Sequence, residues 1–130
     1  MTTLTNDAVT AALAKIVAEK GADYIYPHAV GTCTYSEGEA PSCIVGHVVA
    51  ALSPEDFEAL VEYEQSEGES FPANELEEHS ALQFERGRLG DALMAAQDVQ
   101  DSGGTWGNAQ EAYRRVLAGG DYYDAVKSLK

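Results

Sequence analysis

Between Lys20 and Arg86 the chain contains no lysine and no arginine, while acidic residues continue through that interval from Asp23 to Glu85. Over the whole chain 8 Lys and Arg stand against 22 Asp and Glu, for a formal net charge of -14. A surface so short of cations repels nucleic acid and anionic lipid and accelerates encounter with a basic partner. The bland account of the same charge is solubility. Long apolar runs are also missing. The longest mostly apolar stretch, Cys43 to Leu52, is interrupted by Gly46 and His47 and falls far short of the roughly 20 residues that span a bilayer, so no membrane span is expected. The N-terminus, MTTLTNDAV, has neither a basic nor an apolar leader segment, and a cytoplasmic location is the expectation.

Cysteine is scarce, with only Cys33 and Cys43. In a reducing compartment these are expected as thiols, although they are close enough in sequence to close a small loop if oxidised. Nucleotide-binding glycine patterns are absent, and Gly87, Gly90 and Gly103 are too scattered to cradle a phosphate.

What is present reads as helix. A chain of 130 residues suits one domain, able to bury roughly two thirds of its unfolded surface. Val9, Leu13, Ile16 and Val17 share one face of a helix from about Asp7 to Lys20, with Thr5 or Asn6 as cap and Gly21 as stop. Residues 22–42 break into a structured loop punctuated by Pro27, Gly31, Gly38 and Pro41, with a short extended piece at Tyr24 to Tyr26. A second helix starts at Ser42 or Cys43 and runs to about Leu52. Ser53, Pro54 and Asp56 then read as a capping box opening a third, with Phe57, Leu60 and Val61 on its apolar face. Glu64 to Glu75 reads as a polar, mobile connection; Asn74 with Glu77 resembles a helix cap and its N3 partner, but the following His79 to Gly87 mixes helical and alternating patterns. Helical period returns from Leu89 to Gln100, again behind Thr105 through Ala109, Ala112, Tyr113, Val116 and Leu117, and in a last short helix capped by Asp121. The expected fold is mainly α: a compact single-domain bundle of about five or six short helices spanning 1–130, with a structured loop at 22–42.

Two short regions are the candidates for a site. In the first, Ser42 as N-cap would put Cys43 at the first helical position, where unpaired N–H groups and the helix dipole favour a thiolate, with His47 one turn on. That pair suits a cysteine nucleophile with a histidine base, for which no spacing rule selects an orienting group from His79, Asn74 or Asn108. Cys33, Cys43 and His47 with His28 would alternatively give zinc two sulfurs and two nitrogens, against which stands the lack of a Cys-x-x-Cys knuckle. The plain alternative is that both cysteines pack the loop onto the second helix. In the second region Gln97, Gln100 and Asp101 end one helix, and Trp106, the only tryptophan, starts the next. They read either as a polar pocket beside an aromatic anchor or as side chains bonding the turn backbone while the indole plugs the core. No catalytic residue, metal or cofactor is assigned.

The segments CTYSEGEAPSCIVGHVV (33 to 49) and AQDVQDSGGTWGNA (96 to 109) together resemble a group of small uncharacterised proteins of actinobacteria and their tailed phages. The shared motifs are Cys-x-Tyr, Pro-Ser-Cys-Ile-Val-Gly and Gln-Asp-x-Gly-x-x-Trp-Gly. The resemblance implies a small cytoplasmic protein of phage origin and carries over no reaction. The expected function is therefore that of an acidic accessory protein that binds a basic host or phage protein, with an acidic decoy of nucleic acid as its sharper form. A small Cys/His-centred enzyme or zinc-binding module is the alternative.

Overall fold

The computed structural model describes residues 2–27 and 34–130; His28 and Cys33 lie outside the described residues. Among those described there are seven α-helices and four very short strands: β1 (Thr2–Leu4), α1 (Asn6–Lys20), β2 (Ser36–Glu37), β3 (Ala40–Pro41), α2 (Ile44–Leu52), α3 (Pro54–Glu67), α4 (Leu76–His79), β4 (Leu82–Phe84), α5 (Leu89–Asp101), α6 (Trp106–Leu117) and α7 (Tyr122–Leu129). The fold is mainly α, as expected. Among the described residues no helix is long and apolar enough to cross a membrane.

Local signals account for most helix boundaries. The Thr5 hydroxyl accepts the Ala8 N–H at the start of α1, Thr105 does the same for Asn108 in α6, and Asp121 for Asp124 in α7. The predicted faces are buried: Val9, Leu13, Ile16 and Val17 in α1, and Ala109, Ala112, Tyr113 and Val116 in α6. Helices α5 and α6 pack against each other through the turn at 102–105, and α5 also meets α2, α7 and a single 3₁₀ turn at Ala73–Glu75. Its inward residues include Leu89, Ala92, Leu93, Ala96 and Val99, all essentially inaccessible. The small alanines let neighbouring backbones approach, so α5 forms the spine of the core.

Several features depart from the sequence expectations. The seventh helix is α4, a single turn just before the stretch of mixed pattern, and it starts behind Glu75 without a side-chain cap rather than behind Asn74. Beside it β4 pairs in parallel with β1, Thr2 opposite Leu82 and Leu4 opposite Phe84, burying Leu4 and Leu82. The loop at 22–42 contains the β2–β3 hairpin, with Gly38 at φ 64° in its turn. Ile25, in the short extended piece, bridges to Thr105. The capping box at α3 does not form. The Ser53 N–H is already used to close α2 on the Val49 carbonyl, and the Ser53 hydroxyl donates to Asp56 rather than accepting a backbone N–H. One residue thus ends a helix and begins the next. Finally, the connection after α3 is fastened where it was expected to be mobile: Phe71 is buried, its carbonyl accepts the Tyr35 hydroxyl, and its ring contacts Tyr35, Tyr63 and His79.

Candidate functional site

The two regions singled out in the sequence meet in one buried assembly. Gln100 on α5 sends Oε1 to the Ile44 N–H, the first N–H of α2, at 2.8 Å. The Trp106 ring, at the start of α6, lies 5.3 Å from the His47 ring and 4.7 Å from the Tyr24 ring, both in edge-to-face contacts. The bridge between these regions is thus a side-chain amide and an indole, both from the α5–α6 pair.

The start of α2 lies one residue later than the sequence suggested. Cys43, not Ser42, is the N-cap, and its Sγ accepts the Gly46 N–H at 3.4 Å. Ser42 is diverted because its hydroxyl pairs with the Tyr26 hydroxyl at 2.6 Å and its N–H donates to the Tyr35 carbonyl. Cys43 is fully buried. The His47 ring bonds the Cys43 carbonyl through Nδ1 at 2.9 Å; a carbonyl only accepts, so Nδ1 carries the proton in this contact. The imidazole is therefore committed to the backbone of Cys43 and not to its thiol. Cys33 and His28, the other members of the zinc set weighed above, fall outside the described residues.

Gln97 performs the same task as Gln100 one turn earlier in α5: its Oε1 accepts the Ala73 N–H at 2.8 Å and ties the 3₁₀ turn to the helix. Both amides are almost wholly buried. They bond the starts of two distant segments rather than the turn that follows them. The Gln100 amide group also donates to Asp101 at 3.0 Å. Burial pushes the half-buried Asp101 carboxyl above the usual carboxylate range; the Gln100 hydrogen bond opposes this and Asp98 adds to it. Gln100→Leu should keep the volume but strand the Ile44 N–H, with a loss of about 2 kcal/mol in urea unfolding and faster hydrogen exchange at the Ile44 amide. An unchanged midpoint would mean that this N–H has another acceptor.

Trp106 is fully buried, and its Nε1–H has no hydrogen-bond partner among the described residues. Its backbone N–H donates to the Tyr24 carbonyl and that of Gly107 to the Ala22 carbonyl, so the first turn of α6 is closed against the segment after α1. These N–H groups are consumed and offer no anion site.

A second cluster escaped the sequence reading. Glu64 accepts the Tyr35 N–H, the Ser36 N–H and the Ser36 hydroxyl at 2.8, 2.9 and 2.6 Å, which pins the β2–β3 hairpin to α3. Beyond it His79 stacks on Phe71 at 4.4 Å and pairs with Glu75 at 3.4 Å. With Glu78 these two place their ligand atoms within 4.8 Å of one another, a nitrogen and oxygen donor set of the kind divalent transition ions take. The ion pair and the ring contact already account for the position of His79. A signal for this cluster existed in Glu75, Glu78 and His79, spaced to share a helix face, but only the fold of α4 brings them onto Phe71.

The remaining carboxylates stand largely unneutralised. Among the described residues the ion pairs are His79 with Glu75, and Arg114 and Arg115 with Glu111. Along α3, Glu55, Glu58 and Glu62 are exposed, and Glu58 and Glu62 join Glu39 of the hairpin turn around a shallow groove of about 410 Å³ floored by Phe57 and Val61. Set against known proteins, the chain matches no family model, no curated protein and no solved structure.

Proposed function

We propose that this chain is a small acidic accessory protein, phage-encoded, that acts by binding a basic macromolecule of the host or the phage and performs no chemistry of its own. The observation that carries the reading is the row of exposed carboxylates Glu55, Glu58 and Glu62 on α3 with Glu39 of the β2–β3 turn, none of them in an ion pair among the described residues, in a stretch without a single lysine or arginine. Carboxylates one helical turn apart lie about 5–6 Å from each other. Their mutual repulsion is a standing cost that a cationic partner removes. The sharper form of the proposal is a decoy: a rigid row of negative charge that occupies the basic surface of a nucleic-acid-binding protein.

Charge-driven capture is salt-sensitive. The test is capture of partners from host lysate on immobilised protein at low and at high ionic strength. Loss of the partner at high salt is the expected result, and retention at both would overturn the electrostatic basis. For the decoy form, the captured partner should lose duplex DNA in competition; a ternary complex with DNA would exclude it.

A further inference from the structure

Helix α1 is electrically balanced in a strongly acidic protein. The helix carries two acids, Asp7 and Glu19, against two bases, Lys15 and Lys20, whereas α3 has six acids and no base. Between α1 and the end of α2 lies an open, mainly apolar groove of about 460 Å³. Ala8, Ala12, Ile16 and Leu52 line it, and Lys15 and Glu19 stand at its rim. Ala11, at the groove edge, is exposed, and so are Asp7 and Lys15. Asp7, Ala11 and Lys15 are spaced by four and form a single ridge along the helix. Neither Asp7 nor Lys15 has an ion-pair partner among the described residues.

That ridge is complementary to itself. We infer that the α1 groove docks a second copy of this chain, the two α1 helices crossing antiparallel about a two-fold axis at Ala11. In such a crossing each residue faces the one equally far on the other side of Ala11. Asp7 then meets the partner's Lys15, Lys15 meets the partner's Asp7, and Ala8 meets the partner's Ala14. An isologous contact of this kind satisfies both charges twice with one pattern. Alanine at the crossing point allows the helices to approach closely, and the aliphatic stem of each lysine covers the apolar groove beside Leu52. No other occupant is as well matched: a strongly basic partner is drawn to α3, and an acidic one is repelled by the net charge of -14. The same net charge opposes dimerisation, which keeps the contact weak and concentration-dependent, and added salt relieves that repulsion. Partner binding through α3 has the opposite salt dependence, so the two proposals stand or fall separately.

Sedimentation velocity over a concentration series, at low and at high salt, tests the inference. The expected result is a rise from the 13.9 kDa monomer toward twice that mass, favoured by salt. Ala11→Glu puts two like charges face to face at the axis and should hold the protein monomeric, with unchanged circular dichroism because Ala11 is exposed. Asp7→Lys and Lys15→Asp should each weaken the dimer, and the double swap D7K/K15D should restore it. A monomer at every concentration, a dimer indifferent to A11E, or a swap that fails to rescue would each overturn the inference.

Discussion

Trp106→Ala is expected to cost about 4 kcal/mol, the range found when a large buried aromatic is truncated to alanine. The indole is fully buried against Tyr24 and His47 at the first turn of α6. The Tyr24 carbonyl accepts the Trp106 N–H, and His47 is bonded to the Cys43 carbonyl. The His47 ring cannot collapse into the space without breaking its bond, so much of the cavity should persist. Trp106→Phe should be much milder, about 1–2 kcal/mol. It keeps an aromatic ring in place and removes a buried N–H that has no acceptor among the described residues, so part of the lost packing is offset by a relieved desolvation cost. Urea unfolding followed by far-UV circular dichroism reads both variants. If phenylalanine proved as damaging as alanine, the indole N–H would have to be bonded in solution.

Gly46→Ala is the other change with a large expected effect, although alanine normally favours a helix by about 1 kcal/mol over glycine. A Cβ at Gly46 would lie 2.1 Å from the Tyr35 carbonyl oxygen and 2.9 Å from its carbonyl carbon. Tyr35 cannot step aside cheaply. Its carbonyl accepts the Ser42 N–H, its N–H donates to Glu64, and its hydroxyl donates to the Phe71 carbonyl. The substitution should therefore destabilise by about 3 kcal/mol, the upper part of the range for overpacking, and lower Tm by roughly 10 °C. Gly38→Ala is the control. Gly38 sits at φ 64° with nothing near its missing side chain, so only backbone strain of about 1 kcal/mol applies. Equal effects at the two positions would contradict the close approach of α2 to Tyr35.

These two residues show where sequence reading reached and where it stopped. Trp106 and the segment around Gly46 drew attention by composition alone, and a buried role for the single tryptophan was one of two readings open. The partners were invisible. Gln100 was recognised as a polar residue at a helix end, yet its acceptor oxygen serves Ile44, 56 positions away in the chain. Ser42 was the better N-cap by residue type, and it lost that role to Cys43 because Tyr26 and Tyr35 occupy both its polar groups. Phe71 was read inside a polar connection, and four aromatic or imidazole rings turn out to converge there.

The sequence by itself determined the helical class, the position of nearly every helix and the charge map. Each of these depends on residues within one or two turns: a cap and its third neighbour, an apolar face repeating at three and four, a glycine after the last turn. Tertiary structure alone decided the parallel pairing of β1 with β4, the two glutamine links and the meeting of His47 with Trp106. Strands of three residues carry no period, and a buried amide has no preferred distance along the chain to its acceptor. Such contacts follow from the packing of α5 against its neighbours, a choice made over the whole core at once.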